Sequence, residues 1–386
     1  MKKQLKFFAS LRLLLTKVSY CRLEKNDIVI LDENGSSFIR QMVLWDQKTT
    51  VLPCLLTSLQ LNAAIFFNLV FNFHKALHIE AGFFKIYWNA LYYVSVLKYL
   101  NPKVVISYID NGSDFQLAGR LYTQPKWFFI QNGTRWPSLL QYPYLPKPPD
   151  RRSTIYLDNW FCFGASEADL LRRYGHIVNN AYPVGSLLAS WYKSHLRTAE
   201  NDKTFDICLI SQQAPHIMND KTNQFRFAVT RLESYIKRYV QENRLSLAVA
   251  MRSHEPEELK HYNELYGSSA QIFPNDRIAM STFVAIDKSR VTLSVTSTAA
   301  YEAFGWGSKV LFCNFSGDPN YDTPIAGDWC LNVNSYELFS EKLTRLLEIS
   351  EDNYLAETLE KRIYFMTCDA FKPAYQAIRD TVFQYV

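Results

Sequence analysis

The stretch PKVVISYIDNGSDFQLAGRLY, residues 102–122, decides how the chain is read. Val104 to Ile109 is a short apolar run, the signature of a strand buried on both faces of a parallel sheet. Asp110-Asn111-Gly112 then reads as a turn, and from Ser113 onward the spacing becomes helical. Open α/β sheets bind ligands outside the carboxyl ends of such strands. Asp110 and Asn111 therefore stand where a substrate would be met. Asp110 has a second reading, as a cap on the helix that follows it.

Outward from this unit the same pattern recurs. Strand-like runs stand at 27–32, 49–53, 127–131 and 159–165, with helical spacing between them that is clearest over 83–100. A Pro-rich segment, 143–154, reads as an extended surface loop. After a polar, charged boundary near 194–204 the alternation restarts, with runs at 205–211, 245–251, 270–274, 291–295 and 309–313. Helices over about 335–348, 352–366 and 370–385 close the chain. A length of 386 residues exceeds what one hydrophobic core organises, so two domains are expected, 1–190 and 191–386. The expected fold class is α/β of the GT-B type: two doubly wound parallel-sheet, Rossmann-like domains facing a central cleft.

Composition narrows the function. The net charge of +5 is mild and, beyond the amino terminus, evenly spread, which argues against a nucleic-acid partner. Seven scattered cysteines form no CxxC pair and no zinc-spaced cluster, so neither a metal nor a disulfide framework is expected, and a reducing cytoplasm fits. The amino terminus carries Lys2, Lys3, Lys6, Arg12, Lys17 and Arg22 before any acid. Arg12 and Lys17 interrupt the apolar core that a signal peptide needs. Two readings fit the segment: a basic surface resting on an anionic inner membrane, or an ordinary first helix with a solvated face. The longest apolar run, 61–73, holds three Asn and is too short to span a bilayer.

Three further stretches carry chemistry. In VTLSVTSTAAYEAFGWGSKVLFCN (291–314) a strand runs into Thr296-Ser297-Thr298 at a helix start, where hydroxyls and free amides make an anion site. Glu302, one turn on, is placed to reach ribose hydroxyls. The plain alternative is a Ser/Thr cap on a structural helix. In AMRSHEPEEL (250–259), Arg252 and His254 again follow a strand and suit a phosphate or a sugar carboxylate. In FFIQNGTRW (128–136) a strand ends in Gln131-Asn132-Gly133, with Arg135 beyond, either contacting substrate or packing on the loop. Glu80, in HIEAG, lies in a turn from which a carboxylate could enter the cleft.

The blocks NDIVILDENGSSF, NPKVVISYIDNGSDF, FFIQNGTR, YPVGSLL, FDICLISQ and STAAYEAFGWGSKVLF stand in one order over about residues 26–315. In that order they resemble a bacterial family of surface-carbohydrate biosynthesis proteins. The resemblance implies a cytoplasmic glycosyltransferase acting on capsule, lipopolysaccharide or glycan intermediates without a metal or other cofactor. RSHEP and VTSTAAYE are similar to motifs of transferases that use CMP-activated acidic sugars such as Kdo and other nonulosonates. Here Glu255 intervenes between His254 and Pro256, a departure from that pattern.

The resemblance also implies roles. Arg252, His254, Thr296, Ser297, Thr298 and Glu302 would hold the nucleotide, and Asn111, Gln131, Asn132 and Arg135 the acceptor side. Asp110, with Glu80 and His254, would carry the chemistry: as general base Asp110 gives inversion, as nucleophile retention. The partners are then a nucleotide-sugar donor, a glycan or lipid-linked glycan acceptor and the inner-membrane surface. Rival readings are a UDP- or GDP-sugar transferase, a polyol-phosphate transferase, and a non-catalytic glycan- or nucleotide-binding module.

Overall fold

The computed structural model describes residues 18–20, 23–53, 59–77, 84–134, 155–197, 203–213, 223–323, 325–369 and 371–386. Two parallel six-stranded sheets organise them. The strands in chain order are β1 (Val18–Tyr20), β2 (Ile28–Leu31), β3 (Thr49–Leu52), β4 (Leu59–Leu61), β5 (Val104–Ser107), β6 (Lys126–Ile130), β7 (Tyr156–Cys162) and β8 (Ile177–Pro183) in the first lobe. The second lobe holds β9 (Phe205–Ile210), β10 (Leu247–Ala250), β11 (Ala270–Phe273), β12 (Ser289–Ser294), β13 (Lys309–Cys313) and β14 (Cys330–Leu331). The sheets run β3-β2-β5-β6-β7-β8 and β11-β10-β9-β12-β13-β14, while β1 and β4 form a separate parallel pair. The second order is the doubly wound 3-2-1-4-5-6 arrangement. Two α/β lobes of the GT-B type are therefore present, as the alternation of runs requires.

The central strands form where the sequence is continuously apolar, because both of their faces are covered. β2, β5 and β10 are buried at every residue. Each fully buried aliphatic side chain contributes about 1.5–3 kcal/mol relative to exposure. β8 carries no apolar run: most of its residues are half-buried or exposed, including Asn179 and Asn180, since it closes the sheet edge. That is why the sequence did not announce it.

The expected division at residue 190 separates the sheets but not every element. The last helix, Ala374–Val382, returns to the first lobe. There Arg379 forms a two-pronged ion pair with Asp46, 3.0 and 2.7 Å, and donates to the Val43 carbonyl at 2.8 Å. A ring contact between Tyr385 and Phe128, and a 2.9 Å hydrogen bond from Lys103 Nζ to the Val386 carbonyl, hold the last residues on the same lobe. Thr367 N donates to the Phe163 carbonyl at 2.7 Å where the chain crosses back.

The apolar run 61–73 becomes the helix Ala63–Leu77, capped by Asn62, whose Oδ1 accepts from Ile65 N at 2.9 Å. Among the described residues no helix is long and apolar enough to cross a membrane.

Candidate functional site

In each sheet the strand order reverses once, and the loops on either side of a reversal diverge to leave a crevice. In the first lobe the reversal lies between β2 and β5, in the second between β9 and β12. A cavity of about 390 Å³ joins the two crevices. Asn34, Gly35, Tyr108, Ile109 and Asn132 line it from the first lobe, and Asn275, Arg277, Thr298, Ala299 and Glu302 from the second.

The first-lobe wall depends on a tight turn after β2. Asp32 is buried with a φ of 72°, a conformation that costs energy for any residue with a side chain. Its Oδ1 accepts from both Asn34 N (3.1 Å) and Asn34 Nδ2 (3.0 Å), starting the helix Glu33–Met42. Gly35 then passes so close to Tyr108 that a Cβ placed on it would overlap the Tyr108 Cβ. The absence of a side chain is what lets this helix approach the end of β5.

The second-lobe wall is organised by Gln212, which follows β9. Its Oε1 accepts from Ser294 Oγ (3.0 Å), Val295 N (2.9 Å) and Thr296 N (3.0 Å), and Ser294 Oγ accepts from Ser297 N at 2.9 Å. This network presents the helix Thr298–Gly305 to the cavity. Its N-cap, Ser297, makes no side-chain hydrogen bond to the first turn, and Thr298 and Ala299 sit on the wall. The positive end of the helix thus faces the open space. Arg277 adds a cation on the same wall. Its neighbour Asp276 is committed to holding the loop, accepting from Ile278 N (2.8 Å) and Ala279 N (2.9 Å).

Burial in this wall raises the pKa of one carboxyl, that of Glu302. It is buried, with Ser186 Oγ donating to its Oε1, and burial pushes its carboxyl up to about 7 against the opposing effect of that hydrogen bond. A carboxyl so placed exchanges its proton near neutral pH. Glu302 also lines a second, smaller cavity of about 190 Å³ with Ser186, Lys193 and Cys368.

The residues expected from the sequence divide into several groups. Thr298, Glu302 and Asn132 line the interlobe cavity, and Thr296 and Ser297 build the turn that leads into it. Asp110 does not line it. Its side chain is fully buried, and Oδ2 accepts from Trp160 Nε1 at 3.2 Å, so the expectation that it faces the cleft is corrected. Gln131 is likewise structural: its Oε1 accepts from Phe163 N at 2.7 Å, and its Nε2 donates to the Gly133 carbonyl (2.7 Å) and to Glu167. Both ends of that amide are therefore engaged within the first lobe.

Arg252 and His254 are exposed and stand off the wall. Buried Glu258 fixes their loop, accepting from Arg252 N (2.9 Å), Ser253 N (3.0 Å) and Ser253 Oγ (2.5 Å). Asn275 ties that loop to the wall, donating through Nδ2 to the Arg252 carbonyl at 2.5 Å. Asn111 is half-buried and does not line the cavity. Glu80 and Arg135 lie outside the described residues. Asn34, Gly35 and Arg277 were missed. For the first two a signal existed, since Asp32-Glu33-Asn34-Gly35 ends an apolar strand much as Asp110-Asn111-Gly112 does. Arg277, in a loop after an edge strand, had none. Among the described residues no group of three His, Cys, Asp or Glu side chains could hold a metal.

Comparison with known proteins agrees with this architecture. Residues 128–324, just over half of the chain, match a family model described as "putative O-antigen biosynthesis protein". None of the curated proteins matches the sequence. Among solved structures, UDP-GlcNAc 2-epimerase from Neisseria meningitidis bound to UDP-GlcNAc is similar at a TM-score of 0.54 and 14% identity, over 96% of this chain and 100% of that one. A putative UDP-N-acetylglucosamine 2-epimerase from Listeria monocytogenes gives 0.55 and 13%, over 92% and 95%. S. aureus MnaA with UDP gives 0.54 and 13%, over 94% and 97%. At such identities the likeness establishes the fold.

Proposed function

This chain belongs to the O-antigen biosynthesis protein family, and from that premise we propose that it is a glycosyltransferase of surface-polysaccharide assembly. It binds a nucleoside-diphosphate sugar, UDP-linked in the first instance, between its lobes and moves the sugar to a glycan or lipid-linked glycan acceptor. The observation that carries the reading is the cavity joining both crevices, with Glu302 in its wall and the start of the helix Thr298–Gly305 facing it. UDP and UDP-GlcNAc are the ligands held by two of the similar folds, which supports the choice of donor.

The chemistry follows from the wall. Diphosphate oxygens accept from the amides of Thr298 and Ala299 and from Arg277, and ribose hydroxyls donate to the Glu302 carboxylate. The acceptor hydroxyl oxygen attacks the anomeric carbon and releases its proton to water, the bond from that carbon to the diphosphate oxygen breaks, and the charge left on the diphosphate is neutralised by those fixed donors. Of the carboxylates on the described wall, Asp276 is engaged by backbone amides, which leaves Glu302 as the one able to exchange a proton near neutral pH. A CMP-linked acidic sugar, expected from RSHEP, gains no support here because Arg252 and His254 do not reach the wall. The free thiols of Cys162, Cys208, Cys313, Cys330 and Cys368 suit a reducing cytoplasm.

Thermal-shift titration with UDP, UDP-GlcNAc, GDP, CDP and CMP tests the donor. The uridine compounds are expected to raise the melting temperature most. A larger shift with CMP reverses the donor choice, and no shift with any of them removes the reading. UDP release that depends on an added O-polysaccharide intermediate then shows transfer. Conversion of UDP-GlcNAc without acceptor makes the protein an epimerase instead, and binding without turnover makes it a binding module.

A further inference from the structure

We propose that a third cavity binds a sugar unit carrying a carboxylate or phosphate. It measures about 310 Å³ and lies between the helix Ala165–Arg173 of the first lobe and the helix Glu351–Phe365 of the second. The proposal rests on the transferase reading above, in which such a unit belongs to the glycan acceptor. The cavity shares no lining residue with the interlobe cavity or with the smaller one beside Ser186. Its walls are closely fitted. Gly164 passes so near the Tyr364 and Phe365 carbonyls that a Cβ placed on it would overlap them, and Thr367 N donates to the Phe163 carbonyl at 2.7 Å.

Three observations select the ligand. Ser166 Oγ is buried in the wall with no hydrogen-bond partner. Buried polar groups are nearly always paired, so a hydroxyl left open on a cavity points to a ligand group. Arg173 and Lys361 bring one cation from each lobe, and among the described residues neither enters an ion pair or hydrogen bond. Glu167, the acid of the lining, accepts from Gln131 and stands in the first turn of its helix, where the helix dipole offsets its charge. Cations are thus in excess, which suits an oxyanion. Tyr364 is 47% exposed, and its hydroxyl donates to Asp169 Oδ2 at 3.1 Å, fixing the ring across the two helices. A held ring beside a hydroxyl and cations offers an apolar face to the C–H side of a sugar and polar groups to its edge. Gln131 connects this cavity to the donor: its Nε2 donates to Glu167, and the next residue, Asn132, lines the interlobe cavity.

The test is calorimetric titration of the full chain with glucuronic acid, glucose 6-phosphate and glucose, with and without saturating UDP. The anionic sugars are expected to bind about tenfold or more tightly than glucose, and equally well when UDP is present. The tighter of the two assigns the charge to a carboxylate or a phosphate. Arg173→Gln/Lys361→Gln is expected to weaken anionic binding by about tenfold or more, with the melting temperature and the UDP-induced shift unchanged. Ser166→Ala is expected to weaken binding without lowering the melting temperature, because that hydroxyl has no partner to lose. Glucose binding as well as the anionic sugars, no binding of either anionic sugar, unchanged binding in the double variant, or displacement by UDP overturns the proposal. Failure of the transferase reading shows separately, as a wild-type chain without a UDP-induced shift, and takes the acceptor role with it.

Discussion

Ser186 donates a hydrogen bond to Glu302, joining the residue that caps the first helix after β8 to a helix of the second lobe. The pair sits where the two cavities meet. Because Glu302 titrates near 7 when folded and near 4.5 when unfolded, the native chain holds the proton more tightly. The stability that Glu302 contributes is then complete below pH 4.5 and is lost as pH rises towards 7, by an amount on the order of 3 kcal/mol. Glu302→Gln keeps an acceptor for Ser186 without the titration. Urea midpoints at pH 5 and pH 8 should differ less in this variant than in the wild type by that order of magnitude.

His176 acts in the opposite sense. It is buried, its Nδ1 accepts from Ile155 N at 3.1 Å, and burial lowers its pKa from 6.5 to about 4. The stability it contributes is complete above pH 6.5 and declines as pH falls towards 4. His176→Asn preserves an acceptor and should flatten the acid limb of a melting-temperature profile over that interval.

Asp110 should matter to folding. Its removal leaves the Trp160 indole without that acceptor in a closed interior, so Asp110→Ala is expected to cost about 2–4 kcal/mol in urea unfolding. The folded fraction of the variant should retain its UDP-induced thermal shift. A variant of native stability that fails in turnover would return Asp110 to the chemistry.

Gln212 holds the wall from behind. Gln212→Leu deprives the Ser294 hydroxyl and the Val295 and Thr296 amides of their shared acceptor. The expected cost is about 2 kcal/mol or more, accompanied by loss of the UDP-induced shift, because the displaced turn leads directly into Thr298. Parallel urea and thermal-shift measurements separate the two effects.

Gly35→Ala probes the opposite wall. The added Cβ meets Tyr108, so the helix Glu33–Met42 must move away from the end of β5 at a cost of about 1–3 kcal/mol. Weaker UDP binding should accompany the lower melting temperature. Unchanged values for both would mean that the approach is looser than described.

The two sheets were legible in the chain alone, because central parallel strands are covered on both faces and read as apolar runs, as at 28–31, 104–106 and 247–250. The sequence also placed Thr298 and Glu302, since a strand passing through hydroxyls into a helix is a local pattern. Only the tertiary structure decided what became of the polar groups at the strand ends. Asp110 and Gln131 resemble site residues in the chain, but the first is buried with Trp160 donating to it, and Phe163 and Glu167 engage the two ends of the second. The same holds for β8, which is a strand by virtue of its neighbour, and for the last helix, held by Asp46 more than three hundred residues away. The acidity of Glu302 belongs there too: a carboxyl's pKa is set by the water it loses and the partners it meets, and those come from distant segments once the chain has packed.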